Sequence, residues 1–539
     1  MSLRAHKAQL SRPVSLLFLV VVWGVSLAGL SLGGERLSST PWLVLGAYLF
    51  AFIPYFIVVY GLGGGAFWKG MNRRQLCALV VIAACVVRVA MVVSEPLLSD
   101  DVYRYVWDGR VALHGINPFR YAPDHEALSV LRDDYVWPLI NHKEVPTIYP
   151  PVAQGVFELN AWLGGGVVGL KALFVLIEGV CLVMAWRVLR QWQASRAWLE
   201  RRGVQALCVY ALNPVVCVEL AWSGHLDVLA YGTLSLALMV WFWGVERAHG
   251  DKEGDRTYRA QVVAALLLGV SVAAKMLPLI ALPLMVFSPM RHGTHWLKES
   301  AKRLSLVACV LGVVGVAYVP YVDVGGDLFK GFGTYASKWR ANDGAFRAMS
   351  ELSEESLRRY KSEDGEVKPK VYVRFEALDE TFIKLGKTRM WEGKEIADTT
   401  FASDQIGQSV GKLGVVFVLG LVMLWLLIVT RSVMVGGAVL FGAFFFLSPT
   451  VYPWYVAWLV PLAAMQSGEG RRRALPWSLL VFSMTSLSAY VAWVSVKAGG
   501  EWHVPDWVVF VSALAVLFVA WFDVTATGVA ARSDAQSGA

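Results

Sequence analysis

Apolar runs of about twenty residues, each long enough to cross a bilayer, begin near residues 14, 42, 76, 168, 204, 225, 260, 276, 304, 412, 433, 452, 475 and 507. The pattern predicts an all-α polytopic membrane protein with about fourteen spanning helices. Basic residues alternate between the gaps. Arg4, Lys7 and Arg12 precede the first run, and Lys69, Arg73 and Arg74 follow the second. Further groups lie at Arg187 to Arg202, Arg247 to Arg259, Arg291 to Arg303 and Arg471 to Arg473. Short basic gaps stay in the cytoplasm, so both termini are predicted to be cytoplasmic. The alternation closes only if "YPPVAQGVFELNAWLGGG" (149–166) does not cross. Its paired prolines and glycine run suit a re-entrant or interfacial hairpin.

The runs divide the chain into N-terminal transmembrane helices (1–94), an outer loop with interfacial helices (95–167), central helices (168–322), a polar outer segment (323–411), and C-terminal helices with a short cytoplasmic tail (412–539). Within the polar segment, 341–411 includes "SELSEESLRRYKSEDGEVKPK" and a strand-like "VYVRF" (371–375). It carries no chemical signature and reads as an insertion that shapes an acceptor site.

Composition sharpens the class. The 539 residues are 56% hydrophobic and 17% charged, with a mean hydropathy of +0.51. A soluble domain carries about a quarter charged residues. The net charge of +8 reflects basic topology signals rather than a nucleic-acid surface. The 23 tryptophans fit interfacial belts. Six cysteines, at 77, 85, 181, 208, 217 and 309, fall in apolar segments without metal-ligand spacing, so they read as packing residues. The first apolar run is too long for a cleaved signal and lacks a small-residue cleavage site.

Candidate chemistry begins at "SDDVYRYVWDGRVALHGINPFRY" (99–121). Asp100 and Asp101 follow the predicted outer end of the third helix. Tyr103, Trp107 and Arg110 recur at helical spacing, which predicts a short helix lying along the membrane surface. Other ionisable or aromatic residues also fall toward predicted outer helix ends: Arg88; Glu219, His225 and Asp227 in "NPVVCVELAWSGHLDVL"; Lys275 in "AAKMLPL"; and Tyr452, Trp454 and Tyr455 in "LSPTVYPWYVAWLVPL". Each alone has a plain reading as a snorkelling lysine, a packed histidine or a belt aromatic. A charge held in lipid is costly and therefore a functional candidate, and all of these gather beneath one leaflet. Carboxylates beside cations at headgroup depth suit transfer of a sugar from an anionic lipid. A carboxylate takes the acceptor proton, cations hold the departing phosphate, and aromatic faces stack on sugar rings.

These segments, in this order with "YPPVAQ", resemble bacterial multi-spanning glycosyltransferases of the GT-C superfamily, most closely the polyprenyl-phosphate-mannose-dependent mannosyltransferases. The resemblance runs from about residue 95 to 465. It implies a GT-C-type helical bundle in the inner membrane, an extracytoplasmic active site, and inverting transfer of a hexose, mannose above all, from a polyprenyl phosphate. The superfamily's catalytic acid pair maps onto Asp100 and Asp101; either can be the base, and Asp101 is preferred. Arg88, Arg104 and Lys275 are then the phosphate ligands, and His225 and Asp227 line the site. Trp107, Tyr149, Tyr452 and Trp454 shape the sugar and lipid pocket. Tyr103, Asp108, Arg110, Asn117, Gln154, Glu219 and Tyr455 complete the expected substrate-binding set. No metal site is assigned and no cofactor is required, although diphosphate donors bring a divalent ion, which leaves metal use open. Expected partners are the lipid-linked donor, membrane lipids, and a lipid, glycan or protein acceptor, without nucleic acid. The rival reading, a lipid-linked-sugar flippase, predicts broken helices in corresponding halves and polar residues spread across the membrane. A one-sided cluster disfavours it.

Overall fold

The computed structural model describes residues 2–33, 39–63, 72–191, 203–246, 254–287, 296–338, 344–358, 360–361, 367–368, 388–391, 394–397, 399–429, 432–466 and 474–497. Helices dominate them. In chain order they include α1 (Ser2–Leu32), α2 (Pro41–Phe50), α3 (Phe52–Gly63), α4 (Arg73–Val93), α5 (Asp101–Leu113), α6 (Pro151–Trp162) and α7 (Gly166–Gln191). There follow α8 (Val204–Ala211), α9 (Val228–Trp241), α10 (Gly254–Ala274), α11 (Trp296–Tyr318) and α12 (Lys330–Lys338). The last group is α13 (Gly344–Arg358), α14 (Thr399–Val429), α15 (Val433–Leu447), α16 (Leu459–Gln466), α17 (Ala474–Thr485) and α18 (Tyr490–Lys497). Two short hairpins, Tyr360–Lys361 with Val367–Lys368 and Thr388–Trp391 with Lys394–Ala397, fall in the polar segment. The predicted strand "VYVRF", the last apolar run near 507, and the Arg471–Arg473 cluster lie outside the described residues.

Among the described residues eight helical segments are long and apolar enough to cross a membrane, and a ninth if one bent pair counts as a single span. The expected fourteen is therefore not reached on this criterion; several of the remaining runs form shorter apolar helices such as Leu16–Leu32, Leu277–Val286 and Val433–Leu447. The segment Val228–Glu246, which contains α9, is 83% buried, whereas Leu297–Tyr335 and Gln408–Val429 are only 11% buried.

The bent pair is α8 with Pro214–Trp222, which turns by 52°. Asn213 and Pro214 cause it. Proline disfavours helix in the residue before it, and the Asn213 carboxamide oxygen accepts from the Val215 and Val216 amides to start the second piece. The break frees the Ala211 carbonyl, which accepts from Arg88 at 3.0 Å.

α5 is packed into the protein, with nine of its thirteen residues buried. Its charges survive burial because they are paired internally. Arg104 Nε meets Asp108 Oδ1 at 2.8 Å, and Arg104 Nη2 donates to the Val145 carbonyl at 2.9 Å. Thr147 donates to Asp108 Oδ2 at 2.5 Å, and Gln154 donates to Thr147 at 2.8 Å. Within 149–166, Pro151–Trp162 form one helix, α6, followed by a turn at 163–164, and twelve residues of about 1.5 Å rise are too short to cross.

The two helices meet at Gly109, where a Cβ would lie 2.2 Å from the Phe157 carbonyl oxygen. Only backbone to backbone contact fits there. Gly109→Ala is expected to destabilise the fold by about 1–3 kcal/mol, the usual range for overpacking, and a lowered thermal midpoint in detergent would show it.

Candidate active site

The polypeptide between α4 and α5 is held at several points. Lys171, wholly buried in α7, donates to the carbonyls of Met91 (2.8 Å) and Ser94 (2.6 Å) and so caps the end of α4. Trp222 Nε1 donates to the Glu95 carbonyl at 2.8 Å, while the Tyr103 and Tyr135 hydroxyls donate to the Glu95 carboxylate. Gly224 makes the crossing possible: its φ is +73°, and a Cβ there would lie 2.9 Å from the Lys171 side chain. Asp100 and Asp101 thus start α5 from a fixed anchor.

They open onto a cavity of about 740 Å³. Asn141 binds the pair, its Nδ2 donating to Asp100 Oδ1 at 2.8 Å and Asp101 Oδ1 at 2.7 Å. The adjacent His142 turns the chain with a φ of 44°, unusual for a residue other than glycine. The Asp101 side chain is 23% exposed. Burial, and next the neighbouring Asp100, push its carboxyl up to about 6, against the opposing pull of Asn141 and Lys275.

On the same cavity Lys275 Nζ lies 2.6 Å from Asp227 Oδ1 and 4.3 Å from the Tyr455 ring centre. Trp458 Nε1 donates to the same Asp227 oxygen at 2.6 Å. An ammonium carries three donors, so the pairing with Asp227 leaves capacity for an anion. Tyr452 stacks on Trp454 with centroids 4.3 Å apart, and the Tyr335 and Tyr455 hydroxyls are hydrogen-bonded to each other.

Of the residues expected to bind substrate, Tyr103, Arg104, Tyr149, Asp227, Lys275, Tyr452, Trp454 and Tyr455 line this cavity with the two aspartates. Others do not reach it. Arg88 Nε and Nη2 pair with both oxygens of Glu178, at 2.7 and 2.8 Å, away from the cavity. Asp108 and Gln154 belong to the buried network under the loop, and Trp107 is packed at 1% exposure. Arg110 bonds Asp133 and the Leu131 carbonyl. Asn117 bonds Asp323 and the Tyr321 carbonyl. Glu219 and His225 stand behind the cavity wall.

Sequence reasoning missed Asn141, Tyr335, Tyr490 and Trp493, all on the cavity, and Trp458 behind Asp227. Asn141 has no motif to mark it. Lys171 and Glu178 were also missed, although charges within an apolar run were a signal in plain view.

A family model described as alpha-(1->6)-mannopyranosyltransferase, N-terminal domain, matches residues 18–291, just over half of the chain. The chain belongs to this family. It is a membrane glycosyltransferase of the GT-C group. It is 24% identical over 463 residues to a probable alpha-(1->6)-mannopyranosyltransferase of Mycolicibacterium smegmatis, covering 82% of this chain and 71% of that one. An alpha-(1->6)-mannopyranosyltransferase of Mycobacterium tuberculosis is 23% identical over 72% of this chain and 66% of its own length. Alpha-(1->6)-mannopyranosyltransferase A of Corynebacterium glutamicum is 24% identical over 42% of this chain and 41% of its own. No solved structure matches. In this family member the matched region supplies both aspartates, Asn141, Asp227 and Lys275, whereas the aromatics at 335 and 452–455 come from beyond residue 291.

Proposed function

We propose that the chain transfers a mannosyl group from a polyprenyl phosphate to an extracytoplasmic glycan or lipid acceptor, by a single inverting displacement with Asp101 as base. The observation that carries this reading is one cavity lined by both Asp101 and Lys275. The donor phosphate lies against Lys275 and its sugar toward Asp101. The acceptor hydroxyl gives its proton to Asp101 while its oxygen bonds the anomeric carbon, and the bond to the phosphate oxygen breaks with its electrons. The names of the relatives support mannose. An extracytoplasmic cavity is supported by the basic residues at the far helix ends. Arg187 and Arg190 close α7, whose other end binds α4 beside the cavity, and Arg74, Arg259, Lys298 and Lys302 sit near the starts of α4, α10 and α11.

The test is transfer of labelled mannose from a synthetic polyprenyl phosphate to cell-envelope lipids by the purified protein. Label reaching a new product supports the reading; label crossing vesicles without a product supports transport instead. Lys275→Ala is expected to weaken donor binding about 10–100-fold, the value of a hydrogen bond to a charged group. Unchanged donor affinity in a folded variant would remove Lys275 from the phosphate site.

A further inference from the structure

His225 is buried, and its imidazole stacks on the Trp454 indole with centroids 3.9 Å apart and planes 15° apart. Neither ring nitrogen has a hydrogen-bond partner. Each faces a carboxylate: Nδ1 lies 3.6 Å from Asp101 Oδ2, and Nε2 lies 3.5 Å from Glu219 Oε2. Buried polar nitrogens left without partners are costly, and phenylalanine would stack equally well without that penalty. Glu219 is fixed in turn. Its Oε1 accepts from the Tyr48 hydroxyl at 2.9 Å, and its Oε2 accepts from the Tyr490 hydroxyl at 2.9 Å. With Glu219 ionised, its Oε2 accepts from Nε2–H, which selects that tautomer and turns the Nδ1 lone pair toward Asp101.

We propose that Asp101, His225 and Glu219 form a proton relay, in which His225 Nδ1 receives the proton that Asp101 removes from the acceptor. The inference rests on the transferase reading above and deepens it. The acceptor O–H bond breaks and an O–H bond forms on Asp101; the acceptor oxygen bonds the anomeric carbon, and the phosphate leaves with the electron pair of the broken C–O bond. Asp101 then passes the proton to Nδ1. The resulting imidazolium lies between two carboxylates, Glu219 on one side and the regenerated Asp101 on the other, and gives the proton to water as product leaves. The closure needed is about half an ångström at each contact, in keeping with catalytic hydrogen bonds that tighten only with substrate bound. His225 touches neither sugar nor acceptor; it is a positioning residue that acts through Asp101.

The test uses the full chain in detergent with labelled polyprenyl-phosphate mannose and envelope lipids. His225→Phe keeps the stacked ring and removes both nitrogens. It is expected to lower kcat about 100-fold with the donor KM within about twofold. His225→Ala leaves a gap the size of the ring. Added imidazole is expected to restore transfer to it, and pyrrole, which fills the same space without a basic nitrogen, is not. Glu219→Gln, expected to lower kcat about 10-fold, decides the matter if the phenylalanine variant does not fold. Wild-type kcat in His225→Phe or Glu219→Gln, or equal rescue by imidazole and pyrrole, overturns the relay and leaves the transferase reading intact. No transfer by the wild-type protein overturns the transferase reading and the relay with it.

Discussion

Asp101→Asn is expected to lower kcat for sugar transfer by about 10²–10⁴-fold while leaving the donor KM near its wild-type value. The range is that of a lost general base, and asparagine keeps the shape of the side chain and its contact with Asn141. The same carboxyl sets the pH response. With its proton held up to about 6 by burial and Asp100, kcat/KM should rise through that pH and level off above it, because only the ionised form accepts a proton. Stability moves the other way. The folded carboxyl holds its proton to higher pH than the unfolded one, which titrates near 4, so ionisation between about 4 and about 6 favours the unfolded chain. The wild-type melting temperature should therefore fall slightly across that window, and Asp101→Asn should lack this component. If Asp100→Asn shows the larger kinetic loss and Asp101→Asn the smaller, the base is the other aspartate.

The second large effect belongs to a residue remote from the chemistry. Arg88→Ala is expected to destabilise the fold by about 3–5 kcal/mol, since it strands the buried Glu178 carboxylate without its partner. It also removes the donor to the Ala211 carbonyl at the helix break. Adding Glu178→Gln to Arg88→Ala should recover part of the loss. Thermal unfolding of the two variants in the same detergent measures both. A donor-binding defect in Arg88→Ala with unchanged stability would return Arg88 to the phosphate site.

The spanning helices were legible because lipid offers the backbone no hydrogen-bonding partner, so helices and apolar runs coincide. The convergence of Asp100, Asp101, Asp227, Lys275 and the Tyr452–Tyr455 aromatics on one cavity was legible for a related reason: polar residues beside apolar runs have few places to go. Partners distant in sequence were not legible. Arg88 resembled a ligand because Glu178 lies ninety residues away, and Asp108 resembled one because Thr147 and Gln154, which satisfy it, lie about forty residues on. Asn141 bridges the two aspartates from a loop whose local sequence carries no sign of the bond.

The aromatic lining of the cavity is contributed by distant parts of the polypeptide. α12 is fastened to the early loop where Gly331 packs on the carbonyls of Pro146 and Thr147, and where Asp323 binds Asn117 and Arg120. From that seat Tyr335 reaches Tyr455. A hybrid enzyme that exchanged everything beyond residue 291 with a relative would keep its aspartate pair and swap the aromatics at 335 and 452–455. Turnover and sugar preference would then be inherited from different parents.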